Sequence, residues 1–128
     1  TMPPEERLQF CFEASVSPDF IKADVLMAWT AFWRLNRSNA LIQEQHRDVY
    51  AAYRQDLEDV LSEIAKDRDI KIDARLAALS LTGIMDGLWL ELCLDPTSFT
   101  PEEAIDVCRN WLESYKGTNH IGRFDTTS

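Results

Sequence analysis

The sequence predicts an all-α domain of five helices, and three observations carry that prediction. Apolar residues recur at spacings of three and four over long stretches, while no segment alternates with period two between paired turn signals. Helix-start signals, a capping residue or proline followed by acids, recur along the chain. Turn formers are scarce: four glycines and five prolines make up about 7% of the 128 residues, against about 12% in average soluble chains. The length is that of one ordinary domain. With 45% apolar and 27% charged residues, the chain can build a core without disulfides or metals.

Pro3 and Pro4 followed by Glu5 and Glu6 open a first helix over about 3–15, because proline in the first turn loses no hydrogen bond and acids favour the positive end of the dipole. Ser17, Pro18 and Asp19 repeat the signal and predict a second helix over 18–36. It is apolar around most of its circumference, which places it in the middle of the bundle. After the polar run Asn36 to Asn39, Ile42, His46, Val49, Tyr50, Tyr53, Leu57, Leu61 and Ile64 form one stripe of a long amphipathic helix over 39–66. Residues 67–73 are a polar connection. The stretch from Arg75 to Leu94 holds only Arg75, Asp86 and Glu91 as ionisable groups besides Cys93. Asp86 near its centre and the lack of flanking bases favour a buried helix over 73–94 rather than a membrane span. Asp95 and Pro96 stop it. Thr100, Pro101, Glu102 and Glu103 form a capping box that opens a fifth helix over 101–116, with Gly117 closing it. The expected organisation is a helical domain over 1–116 and a flexible tail over 117–128.

The formal charge of -9, with scattered rather than clustered bases, opposes contact with phosphate backbones and anionic membranes. Three widely spaced cysteines, Cys11, Cys93 and Cys108, suit free thiols in a reducing cytoplasm and neither a disulfide framework nor a zinc site. No nucleotide-binding or hydrolase motif occurs, and only two histidines are available as proton shuttles. His120 falls in the tail, and His46 reads as a hydrogen-bonded core imidazole. Asp67, Asp69 and Asp73 approximate a calcium loop, but Ile72 and Ala78 stand where its glycine and bidentate glutamate belong. No cofactor or metal is expected.

Two constellations remain. Gly83 and Gly87 lie four apart in the apolar helix and leave one face without bulk, suited either to tight packing within the chain or to self-association. Incomplete cover for so apolar a helix favours the second. A homodimer seam is therefore expected along Gly83 and Gly87 together with the Ala104, Cys108 and Trp111 stripe of the last helix, as an isologous interface. The second constellation is aromatic: Trp29, Phe32 and Trp33 share a helix, with Trp89 one turn beyond Met85 and Asp86. With Tyr50 or Tyr53 these would present ring faces and one carboxylate to a small organic cation. The alternative is that the aromatics are core and that Asp86 is neutralised by Arg75 or Arg109.

The segment Ala28-Trp29-Thr30-Ala31-Phe32-Trp33, the long amphipathic helix, Gly83-Ile84-Met85-Asp86-Gly87-Leu88-Trp89-Leu90 and Phe99-Thr100-Pro101-Glu102-Glu103-Ala104 together resemble the C-terminal domain of TetR-family transcriptional repressors, most closely the BetI type, which regulates the choline-to-glycine-betaine pathway. The resemblance runs over about residues 4 to 115. It implies a regulatory, non-enzymatic domain whose last two helices pair with those of a second subunit in a four-helix bundle, and whose middle helices enclose an effector pocket. Quaternary ammonium ligands such as choline follow as candidate effectors. The family's helix-turn-helix head is not encoded before Pro3, and Thr1 ahead of Met2 suggests a piece of a longer protein, so operator DNA is expected as a partner only through that head. A helical homodimeric scaffold without an effector pocket is the competing reading.

Overall fold

The computed structural model describes residues 2–116. Five helices follow in order, α1 (Pro4–Ser15), α2 (Ala23–Ser38), α3 (Ala40–Arg68), α4 (Ala74–Leu94) and α5 (Pro101–Lys116), with no strand among the described residues. The expected closure at Gly117, His120 and the tail lie outside these residues.

Four of the five starts agree with the sequence signals. Asn39 caps α3 through its side-chain oxygen, which accepts from the amides of Leu41 at 3.0 Å and Ile42 at 3.2 Å. Thr100 and Glu103 form the reciprocal box: the Glu103 carboxylate accepts from the Thr100 amide at 2.9 Å, and the Thr100 hydroxyl accepts from the Glu103 amide at 3.1 Å. The aspartates between α3 and α4 have structural roles. Asp69 adopts left-handed geometry, φ 53°, as Asp tolerates, and closes α3, while the Ile70 amide reaches back to the Ala65 carbonyl at 3.0 Å. Asp73 caps α4 by accepting from the Leu76 amide at 3.1 Å.

The second helix departs from expectation twice. Pro18, Asp19 and Phe20 complete only one turn, with the Phe20 amide donating to the Ser17 carbonyl at 2.9 Å, and α2 begins five residues later than predicted. Nor does α2 sit in the middle. No residue of it is fully buried, and Met27 is 67% exposed. The reason is that α2 packs against α3 and α4 on one side, where its aromatic residues are half-buried, while Met27 and Leu35 are left to solvent.

The core instead lies between α1, α3, α4 and α5. Leu8 and Phe12 of α1, Leu57, Leu61 and Ile64 of α3, Ala77, Ala78, Leu81 and Met85 of α4, and Cys108, Leu112 and Tyr115 of α5 form one cluster. Val16, Leu92 and Ala104 form a smaller one. Arg7 pairs with Glu63 and Arg68 with Glu5, both at 2.6 Å, fixing the register of α1 along α3. By length and composition alone α4 could cross a membrane, with 21 residues and an 18-residue window of mean hydropathy 1.4, yet six of its side chains are buried in the core. The buried Thr82 hydroxyl is satisfied by the Ala78 carbonyl at 2.7 Å.

α4 is not covered on all sides. Leu76 and Leu79 are 42% and 39% exposed, and with Gly83 and Gly87 they follow spacings of three, four and four, which is one helical stripe. A Cβ at either glycine would have no neighbour within 4 Å.

Candidate functional site

Because α2 stands off the core, a cavity of about 590 Å³ opens between it and α1, α3 and α4. This size suits a small-molecule site. Cys11, Ala14 and Ser15 line it from α1, Phe20 from the connecting turn, Trp29 and Trp33 from α2, Val49, Tyr50 and Tyr53 from α3, and Met85, Asp86, Gly87, Trp89 and Leu90 from α4. Phe20 and Val49, 52% and 64% exposed, stand at its mouth.

The aromatic side chains are set by contacts with one another. Trp29 and Trp33 tilt together with ring centroids 6.2 Å apart, and Trp33 meets Trp89 edge to face at 6.4 Å. These contacts lock the rings at little entropic cost to a ligand. The Trp89 indole N–H donates to the Phe20 carbonyl at 2.6 Å, and the Cys93 thiol donates more weakly to the same oxygen at 3.7 Å. The polar edge of Trp89 is thus satisfied by the fold, leaving its ring surface for the cavity.

Asp86 is the only carboxylate in this lining. It stands at the rim, open to solvent on one side and desolvated by the apolar wall on the other, and that burial raises its pKa above the ordinary carboxylate value. No ion pair or hydrogen bond reaches it among the described residues. Arg109 is engaged by Asp106 at 3.0 Å and Gln9 at 3.4 Å, so the neutralisation considered for Asp86 does not come from there. Tyr50 and Tyr53 are also raised, chiefly by burial and secondarily by the Asp86 charge. Both hydroxyls therefore remain protonated around neutral pH.

Of the eight residues expected to bind ligand, Trp29, Trp33, Tyr50, Tyr53, Met85, Asp86 and Trp89 meet in this cavity. Phe32 does not line it; its ring lies 5.6 Å from Trp29 on one side and 5.6 Å from His46 on the other. His46 is half-buried and packs ring to ring between Phe32 and Tyr50, 4.4 Å from the latter, rather than in the core.

The residues expected at a subunit seam separate. Gly83 lies on the open stripe of α4, whereas Gly87 also borders the cavity. Ala104 and Cys108 are 1% and 2% exposed in this chain's own core, and burial pushes the Cys108 thiol up to about 11. They face inward because α5 packs the same stripe against α1 and α4, so they offer no surface to a partner. Trp111 is half-buried, edge to face with Tyr115 at 4.2 Å.

The contributions of α1, Phe20, Val49 and Leu90 were not anticipated. Val49 and Phe20 carried a signal, being apolar neighbours of Tyr50 and of the capped turn. Cys11, Ala14 and Ser15 are small and share a helix face, a pattern that tight packing produces equally well.

A five-helix domain with an aromatic cavity beside its core matches the C-terminal domain of a TetR-type transcriptional regulator. A crystal structure of a transcriptional regulator from Pseudomonas aeruginosa PAO1 superposes with a TM-score of 0.86 at 36% identity, over 91% of this chain and 57% of that one. The chain belongs to the family of BetI-type transcriptional repressor C-terminal domains, whose sequence model matches residues 4–116. Relatives named HTH-type transcriptional regulator BetI include those of Pectobacterium carotovorum, 26% identical over 86% of this chain and 54% of the relative, and of Serratia proteamaculans, 27% identical over 85% and 53%. The chain thus spans about half the length of the curated relatives it matches.

The raised pKa of Asp86 has a sign that can be tested. The folded chain holds this proton more tightly than the unfolded chain, so charged Asp86 costs stability above its folded pKa. That cost fades as pH falls through the folded value towards the ordinary carboxylate range. Asp86→Asn is therefore expected to raise Tm slightly at pH 7, with the difference vanishing in acid. Thermal melts of both proteins between pH 7 and pH 3 check it; a variant less stable at neutral pH would contradict the desolvation.

Proposed function

We propose that this chain is the effector-sensing and dimerisation part of a cytoplasmic TetR-family repressor of BetI type, and that the effector is an organic cation. The observation that carries the reading is the meeting of Asp86, free of any cationic partner among the described residues, with Trp29, Trp33 and Trp89 around one cavity. A ring face contributes about 0.5 to 2 kcal/mol towards an organic cation, and more as water leaves. The carboxylate supplies the charge. In the intact protein, effector binding shifts the population between two helix arrangements and so changes the separation of two DNA-reading heads.

Dimerisation is assigned to the open stripe of Leu76, Leu79 and Gly83 on α4, joined by the exposed Val107 and by Trp111 on α5. This keeps Gly83 and Trp111 from the expected seam, leaves Gly87 at the cavity border, and replaces Ala104 and Cys108.

A thermal-melting panel tests the effector class. A ligand at about a hundred times its Kd adds roughly 2.7 kcal/mol, which moves Tm by several degrees. Quaternary amines from choline upward in size are expected to raise Tm. Neutral and anionic metabolites raising it while every amine leaves it unchanged would overturn the assignment, and no response at all would favour a scaffold without an effector.

A further inference from the structure

Resting on the organic-cation reading, we infer that the cavity is built for a bulky cation with a large apolar body rather than for a choline-sized headgroup. The first argument is volume. Pockets of about 300–1,000 Å³ take drug-sized ligands, and at about 590 Å³ this one is far larger than a cation of about seven non-hydrogen atoms requires. Water would have to occupy the remainder. The second argument is that the wall is poor in partners for such water. Beyond the Asp86 carboxylate, the side-chain polar groups around the cavity are few: the Tyr50 and Tyr53 hydroxyls, the indole N–H groups of Trp29 and Trp33 and the weak Cys11 thiol, with the Trp89 N–H already committed to the Phe20 carbonyl and the Ser15 hydroxyl to the Phe12 carbonyl. Water lying against so apolar a wall gains few hydrogen bonds, so apolar ligand surface that displaces it is the better occupant.

The third argument is the placement of charge. One carboxylate stands at the rim, while Trp29, Trp33 and Met85 supply apolar wall. This asymmetry fits a ligand with one positive centre and an extended hydrophobic body. It does not fit a dication, which would leave a second charge without a partner.

Three probes separate the possibilities on the full 128-residue chain: tetraphenylphosphonium, tetraphenylborate of the same shape and opposite charge, and tetramethylammonium. Quenching of tryptophan fluorescence and calorimetric titration report binding at physiological salt. Tetraphenylphosphonium is expected to bind at least tenfold more tightly than either of the others, and Asp86→Asn to weaken it about tenfold while tetraphenylborate binding does not fall. Gly87→Leu, whose side chain has room to extend from the cavity border, should weaken tetraphenylphosphonium more than tetramethylammonium. Tetramethylammonium binding as tightly as tetraphenylphosphonium would overturn the bulky-ligand inference and leave the cation reading standing. Equal affinity for the phosphonium and the borate would overturn the cation reading itself, and no binding by any probe would overturn both.

Discussion

Phe12→Ala is expected to destabilise the domain by about 3–5 kcal/mol, a large share of the roughly 5–15 kcal/mol that holds a domain folded. Phe12 is fully buried, and only it and Leu8 within α1 reach the core. Truncation leaves a cavity at the junction of α1 with α3, α4 and α5, where four helices have already fixed their spacing and cannot collapse around it. Tm should fall by roughly 10–20 °C. The same change loosens Cys11, Ala14 and Ser15, which form one wall of the cavity, so ligand affinity should fall even below the melting transition. Denaturant titration gives the stability, and a loss under about 1 kcal/mol would mean that α1 is not anchored as described.

Gly83→Leu is expected to convert a dimer to a monomer while leaving the subunit at least as stable. Within the chain the new side chain meets nothing, since a Cβ there has no neighbour within 4 Å. Replacing glycine inside a helix also removes a penalty of about 0.8–1 kcal/mol. Any loss of association therefore arises between subunits, where leucine would hold apart two backbones that glycine lets approach. Gly83→Ala separates the two effects by adding helix propensity with little bulk. Sedimentation equilibrium at micromolar concentration reads the outcome. A monomeric parent chain, or a dimer unaffected by leucine, would remove the α4 stripe from the interface.

Much of this fold is legible locally because its caps are local. Asn39, Thr100 and Glu103 satisfy amides two or three residues away, so a few letters suffice to place α3 and α5. The start of α2 is different. Ser17, Pro18 and Asp19 carry a sound helix-start signal, yet the Phe20 carbonyl is held by Trp89 and Cys93, 69 and 73 residues downstream. A tertiary bond there competes with helix continuation, and nothing in the local sequence announces it.

The site shows the same division. Asp86 and the tryptophans stood out because a lone carboxylate in an apolar helix and clustered large rings are unusual, and they converge on one cavity. The small residues of α1 did not stand out, because only the distance between two helices decides whether a small side chain lines a space or permits close contact. That Ala104 and Cys108 lie in this chain's own core rather than on its surface was hidden for a related reason. An apolar stripe shows that a helix face is covered, but not whether its own chain or another covers it, and here α1 and α4 do so.

A crystal structure of the chain grown with tetraphenylphosphonium would locate the effector site. The cation is predicted to lie in the cavity between α2 and α4, its charged centre on the Asp86 side and at least one phenyl ring against Trp29, Trp33 or Trp89, at the roughly 4.5–7 Å centroid separation of aromatic pairs. Density for the cation elsewhere on the protein, with the cavity closed by its own tryptophans, would contradict the assignment of this domain as a cation sensor.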